Sequence, residues 1–82
     1  MPSHCHRFVE DYQGLIGFGF DRTTDEATVK VYLQKFSDDD LLKAIVPRLT
    51  DQELSQIFDL ISQLLARRLS RNEYEELFLK QN

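Results

Sequence analysis

The sequence has 82 residues with 10 Lys and Arg against 14 Asp and Glu, a formal net charge of −4. A chain this short holds one hydrophobic core, and an acidic balance disfavours general binding to phosphate backbones or anionic membranes. Its single cysteine, Cys5, excludes an internal disulfide, which points to a reducing cytoplasm and makes oligomerisation a natural source of extra stability.

No apolar run reaches the ~20 residues of a membrane span. The opening MPSHCHRFVED has no apolar stretch of the signal-peptide kind, so a cytoplasmic location is expected. Residues 1–7 read as a flexible tail, and 8–82 as a single domain. The tail carries His4, Cys5 and His6, which are ligand types for zinc and copper. Three adjacent ligands do not close a tetrahedron. Loss of Met1 would leave Pro2-Ser3-His4, whose amine, amide nitrogens and imidazole suit a square-planar Cu(II) or Ni(II) site. Against that stands an ordinary tail, and no cofactor is expected.

FVEDYQ at 8–13 fits either a short strand, with Phe8 and Tyr12 on one side, or a helical turn. GLIGFGF at 14–20 reads as a strand with Ile16, Phe18 and Phe20 on one face and Gly17 and Gly19 on the other. DRTTDE at 21–26 reads as a turn, being rich in residues that bond their own backbone. TVKVYLQ then alternates, with Val29, Val31 and Leu33 on one side, and predicts a half-buried strand over about 27–35. The two strands are expected to pair as an antiparallel β-hairpin, with Tyr32 lying over Gly17 or Gly19. The hairpin edge is left for residues 8–13 or a second subunit.

Three helices are expected after the hairpin, over about 38–46, 51–69 and 71–79. Each is preceded by an apolar residue and a Ser or Thr cap: Phe36-Ser37, Leu49-Thr50 and Leu69-Ser70. Glu53 and Glu73 sit where a capping box needs them; Asp40 is a weaker counterpart in the first helix. Pro47 ends or kinks the first helix. The third carries Tyr74, Leu77, Phe78 and Leu79 inward.

In the middle helix Leu54, Ile57, Phe58, Leu60, Ile61, Leu64, Leu65 and Leu69 fill an arc of roughly 180° on a helical wheel. That is wider than one neighbour needs. Arg68 falls inside the apolar sector, where it either snorkels to the helix end or bridges to a carboxylate across an interface. Leu60, Leu64 and Arg68 on this helix, with Gly17, Gly19 and Tyr32 on the hairpin, are therefore the candidate interface residues, and a homodimer is expected.

Catalytic chemistry is not expected. Both histidines lie in the tail, no nucleophile turn can be assembled, and the carboxylates cluster at helix starts, where the helix dipole favours them. No small-molecule substrate is inferred. GFGF at 17–20 matches the middle of an RNA-binding motif whose aromatics stack on bases, but Ile16 and Asp21 do not fit its ends. Phe18 and Phe20 are expected instead as plain core, on the hairpin face shared with Ile16, Val29, Val31 and Leu33. The helix pair around the PRL turn has the spacing of a DNA-reading helix-turn-helix, yet the second helix opens acidic, as DQELSQIFD. Nucleic acid is therefore an unfavoured partner.

The stretches LIGFGFDR-TDEAT at 15–28, KFSDD at 35–39 and LFLK at 77–80 resemble a group of short bacterial cytoplasmic proteins of unknown function. The resemblance implies a bacterial cytosolic source and no activity or site. The sequence thus predicts an α+β domain, an N-terminal hairpin with room for a third short strand packed on three helices. Its expected role is that of a non-catalytic, self-associating interaction or regulatory module.

Overall fold

A computed structural model describes residues 6–81. Among the described residues there are helices and loops and no strand, so the fold is all-α and not α+β. In order the elements are α1 (Arg7–Asp11), α2 (Arg22–Phe36), α3 (Asp39–Ile45), a 3-10 turn (Val46–Arg48), α4 (Asp51–Arg68), α5 (Arg71–Glu73) and a π-helical turn (Tyr74–Phe78). The chain divides into two compact units, one holding α1 to α3 and the other everything from the 3-10 turn onward.

The expected hairpin is replaced by a loop and a helix. Residues 8–13 supply most of α1 and no third strand; residues 12–21 form the loop, and the supposed second strand lies inside α2. The reason is at the α2 N-terminus. Asp21 Oδ1 accepts a hydrogen bond from Thr24 N at 2.8 Å, which caps the helix, and Asp25 adds a negative charge to the first turn. Arg22 Nε donates to Glu26 Oε2 at 2.6 Å, one turn on. The residues that look like a turn are therefore helix-starting residues, since the same short polar side chains serve both purposes. The β-branched Thr28, Val29 and Val31 then cost only a few tenths of a kcal/mol each in a helix.

In this first unit α1 packs on α2. Val9 N donates to Gln34 Oε1 at 2.7 Å, Phe8 stacks on Tyr12 with centroids 5.1 Å apart, and Lys30 Nζ sits 4.9 Å over the Phe8 ring. The buried hydrophobic residues are Ala27 and Val31, joined by Thr28. Ile16, Phe18, Phe20, Val29 and Leu33, expected in the core beside Val31, are exposed. α2 closes at Ser37, whose N–H donates to Leu33 O at 3.0 Å and whose hydroxyl donates to Gln34 O at 2.9 Å. Ser37 is thus the end of one helix, and Asp38 starts the next: its Oδ2 accepts from Asp40 N and Leu41 N, both at 3.1 Å.

In the second unit, Pro47 lies in the 3-10 turn, and α4 begins at a complete capping box. Glu53 N donates to Thr50 Oγ1 at 3.1 Å, and Thr50 N donates to Glu53 Oε1 at 2.9 Å. Ser70 and Glu73 repeat the box at α5, with distances of 3.2 and 2.8 Å. After α5 the helix widens. Leu79 N donates to Tyr74 O, Gln81 N donates to Glu75 O, and Lys80 adopts a left-handed φ of 57° that ends the helical run. Tyr74 and Phe78 stack 5.4 Å apart. Leu77, Phe78 and Leu79, expected inward, remain exposed.

Candidate functional site

A long stretch of exposed apolar surface runs along α4. Leu54, Ile57, Phe58, Leu60, Ile61 and Leu64 are 38–71% exposed, although each would be a core residue in an ordinary globular domain. Leu65 and Leu69 differ. They are half-buried and line a hollow with Ser62, Ala66 and Tyr74, where the chain turns from α4 into α5. Tyr74 and the turn into α5 thus border the apolar arc near its end, and the rest is open. Leu60 and Leu64, two of the expected interface residues, belong to the open part. Arg68 is the last residue of α4 and is exposed.

The charges on α4 are polarised. Asp51 and Glu53 lie in its first turn, Arg67 and Arg68 in its last. Each pair complements the helix dipole at its own end. The outcome is an 18-residue rod that is acidic at one end, basic at the other and apolar along one side.

A second apolar surface belongs to the first unit. Gly17, Phe18, Thr28, Val29, Tyr32 and Leu33 line a shallow hollow between the 12–21 loop and α2. Gly17 and Tyr32, expected to meet across a hairpin, do share this surface, although α2 is what brings Tyr32 there. The loop is held by side chains. Thr28 Oγ1 donates to Gly17 O at 2.9 Å and accepts from Gly17 N at 3.0 Å. Gly19 N donates to Asp25 Oδ1 at 2.8 Å, and Tyr12 OH donates to Leu15 O at 3.0 Å. Gly19 needs to be glycine for its backbone, with φ at +97° and open space where a Cβ would stand. At Gly17 an added Cβ would run into the Phe20 ring.

Sequence reasoning missed the Thr28 clasp, having placed Thr28 on a strand face. The pairing of Asp21 with Thr24 and the four-residue spacing of Arg22 and Glu26 were the signals for the helix that positions it. Phe18 and Phe20 are 72% and 66% exposed, which overturns their assignment to the core. Phe18 neighbours Arg22, Asp25, Glu26 and Lys30. The Arg22 guanidinium holds the Glu26 carboxyl below the usual carboxylate range, first through the hydrogen bond and then through its charge.

Of the expected metal ligands, His4 and Cys5 lie outside the described residues. His6 Nε2 lies 2.7 Å from Ser37 Oγ, so that nitrogen is engaged at the end of α2. Among the described residues, no group of three or more His, Cys, Asp and Glu side chains is arranged to hold a metal ion. Nor is any helix among them long and apolar enough to cross a membrane. No family model, curated protein or solved structure matches this chain.

Proposed function

We propose that this chain is a non-catalytic protein-interaction module whose docking surface is the open apolar face of α4. The observation that carries the reading is the exposure of Leu54, Ile57, Phe58, Leu60, Ile61 and Leu64 on one capped, charge-polarised helix. A helix of this kind gains most of its stability from packing its apolar face and little from intrinsic propensity. A partner helix laid lengthwise along α4 would bury that face, as in helix-in-groove recognition. The reading is tested by measuring the intact mass of the assembly that the chain forms in a native extract. The expected mass exceeds the 9.7 kDa of one chain, and Ile61→Glu returns it to that value. Recovery of both proteins as a 9.7 kDa species would overturn the reading.

A second reading has one observation in its favour. Phe18 is exposed beside Arg22 and Lys30, the combination on which single-stranded nucleic acid stacks. Two features weigh against it: Arg22 is paired with Glu26, and Asp25 shares the same surface. Salt-dependent binding of a single-stranded oligonucleotide that Phe18→Ala abolishes would support it. Absence of binding at low salt would remove it.

A further inference from the structure

We propose that the occupant of the α4 face is α4 of a second copy, laid antiparallel, with Glu53 of each chain beside Arg67 of the other. The proposal rests on the interaction-module reading and gives it a partner and a register. The first support is spacing. Leu54, Ile57, Ile61, Leu64 and Arg68 follow one another at intervals of three, four, three and four, the 3.5-residue repeat of a helix–helix seam. The apolar members of that seam are exposed, while Leu65 and Leu69 on the neighbouring flank are half-buried beside Tyr74.

The second support is charge complementarity. A parallel pair would set Asp51 and Glu53 against the same two residues of the other copy, and Arg67 and Arg68 likewise. An antiparallel pair sets the acidic end against the basic end twice and opposes the two helix dipoles. The apolar register and the charge register coincide. With Leu54 opposite Leu64, Ile57 falls opposite Ile61, and the positions flanking the seam bring Glu53 beside Arg67 at both ends. Leu60 then meets Leu60 of the second copy on one flank, and Phe58 meets Phe58 on the other. Arg68, the one polar residue in the stripe, reaches the acidic first turn of the second copy. Glu53 keeps one carboxylate oxygen on Thr50 N within its own capping box and has a second oxygen for the contact. The 18-residue helix is only ~27 Å long, so association is weak and concentration-dependent.

The test uses the purified full-length chain with Cys5→Ser, so that introduced thiols are the only ones. Sedimentation equilibrium is expected to give twice the chain mass in the micromolar range. Leu54→Cys and Leu64→Cys variants are each expected to stay uncrosslinked under mild oxidation, and their mixture to form a disulfide-linked pair. Arg67→Glu is expected to weaken self-association about fivefold, the effect of two altered ion pairs. Adding Glu53→Gln, which preserves the capping box, should regain part of that loss. Crosslinking of Leu64→Cys with itself would show a parallel pair and overturn the proposal. So would an association constant indifferent to Arg67→Glu. A purified monomer, alongside a larger complex in native extract that Ile61→Glu disrupts, would also overturn it: the face would then belong to a different protein, and the interaction-module reading would stand.

Discussion

Thr28 is 5% exposed and is the buried polar residue at the centre of the first unit. Its hydroxyl satisfies both the N–H and the carbonyl of Gly17. Thr28→Val keeps the shape and removes both bonds, leaving half-buried backbone groups without their partner. The expected cost is about 1–3 kcal/mol, read as a lower denaturant midpoint at unchanged slope. Thr28→Ser, which keeps the hydroxyl, should cost less; equal loss in the two variants would show that packing and not the clasp matters. None of this was legible in the sequence, because the role of Thr28 depends on which element contains it. Gly17 and Gly19 were legible as places where another group comes close to the backbone, but Tyr32 was expected there; the side chains that bond them, Thr28 and Asp25, lie eleven and six residues away.

At the scale of elements, α4 and α2 show when local sequence suffices. α4 has a capping box, one apolar stripe and a basic last turn, all pointing to the same structure, so it is readable. α2 carries a two-residue alternation over Thr28–Gln34 that suits a strand, yet its start is fixed by Asp21, Arg22, Asp25 and Glu26. Those polar residues decide the outcome: the Asp21 cap and the charges of the first turn start a helix before the alternation begins. The Arg22–Glu26 contact also gives α2 a pH dependence. The Glu26 carboxyl titrates lower in the folded chain than in the unfolded one. Its contribution is therefore fully present above the ordinary carboxylate range and is lost as pH falls through the lowered value. The difference in helicity between the native chain and Glu26→Gln should be visible at neutral pH and vanish in acid. The effect is small, because both side chains face water. A difference that persists unchanged at low pH would count against the ion pair as its origin.

For the whole molecule, the decisive quantity is how little apolar surface each unit buries. Ala27 and Val31 are the buried hydrophobic residues among those described, while large aliphatic and aromatic side chains stand exposed in both units. A core that small leaves little margin over the chain entropy lost on folding. The proposed association through α4 would add burial and couple folding to concentration. The melting temperature should therefore rise with protein concentration, on the order of 4 °C per tenfold. Ile61→Glu should melt at a temperature independent of concentration. The sequence showed that the apolar arc of α4 exceeds what one neighbour needs. It did not show which flank Tyr74 and the turn into α5 would border, since Leu65 and Leu54 are equally apolar and only the turn at Leu69 and Ser70 decides between them.

The clasp between Thr28 and Gly17 bears on one more property of the chain. Ile16–Phe20 is a short apolar, uncharged stretch that alternates large side chains with glycine, as an edge strand could. Strand addition needs free backbone donors and acceptors. Gly17 lies within that stretch, and both of its backbone groups are taken by a side chain from a neighbouring helix. Gly19 has its N–H taken as well, by Asp25. In the folded chain these three backbone groups, held by side chains of α2, are not available for strand pairing.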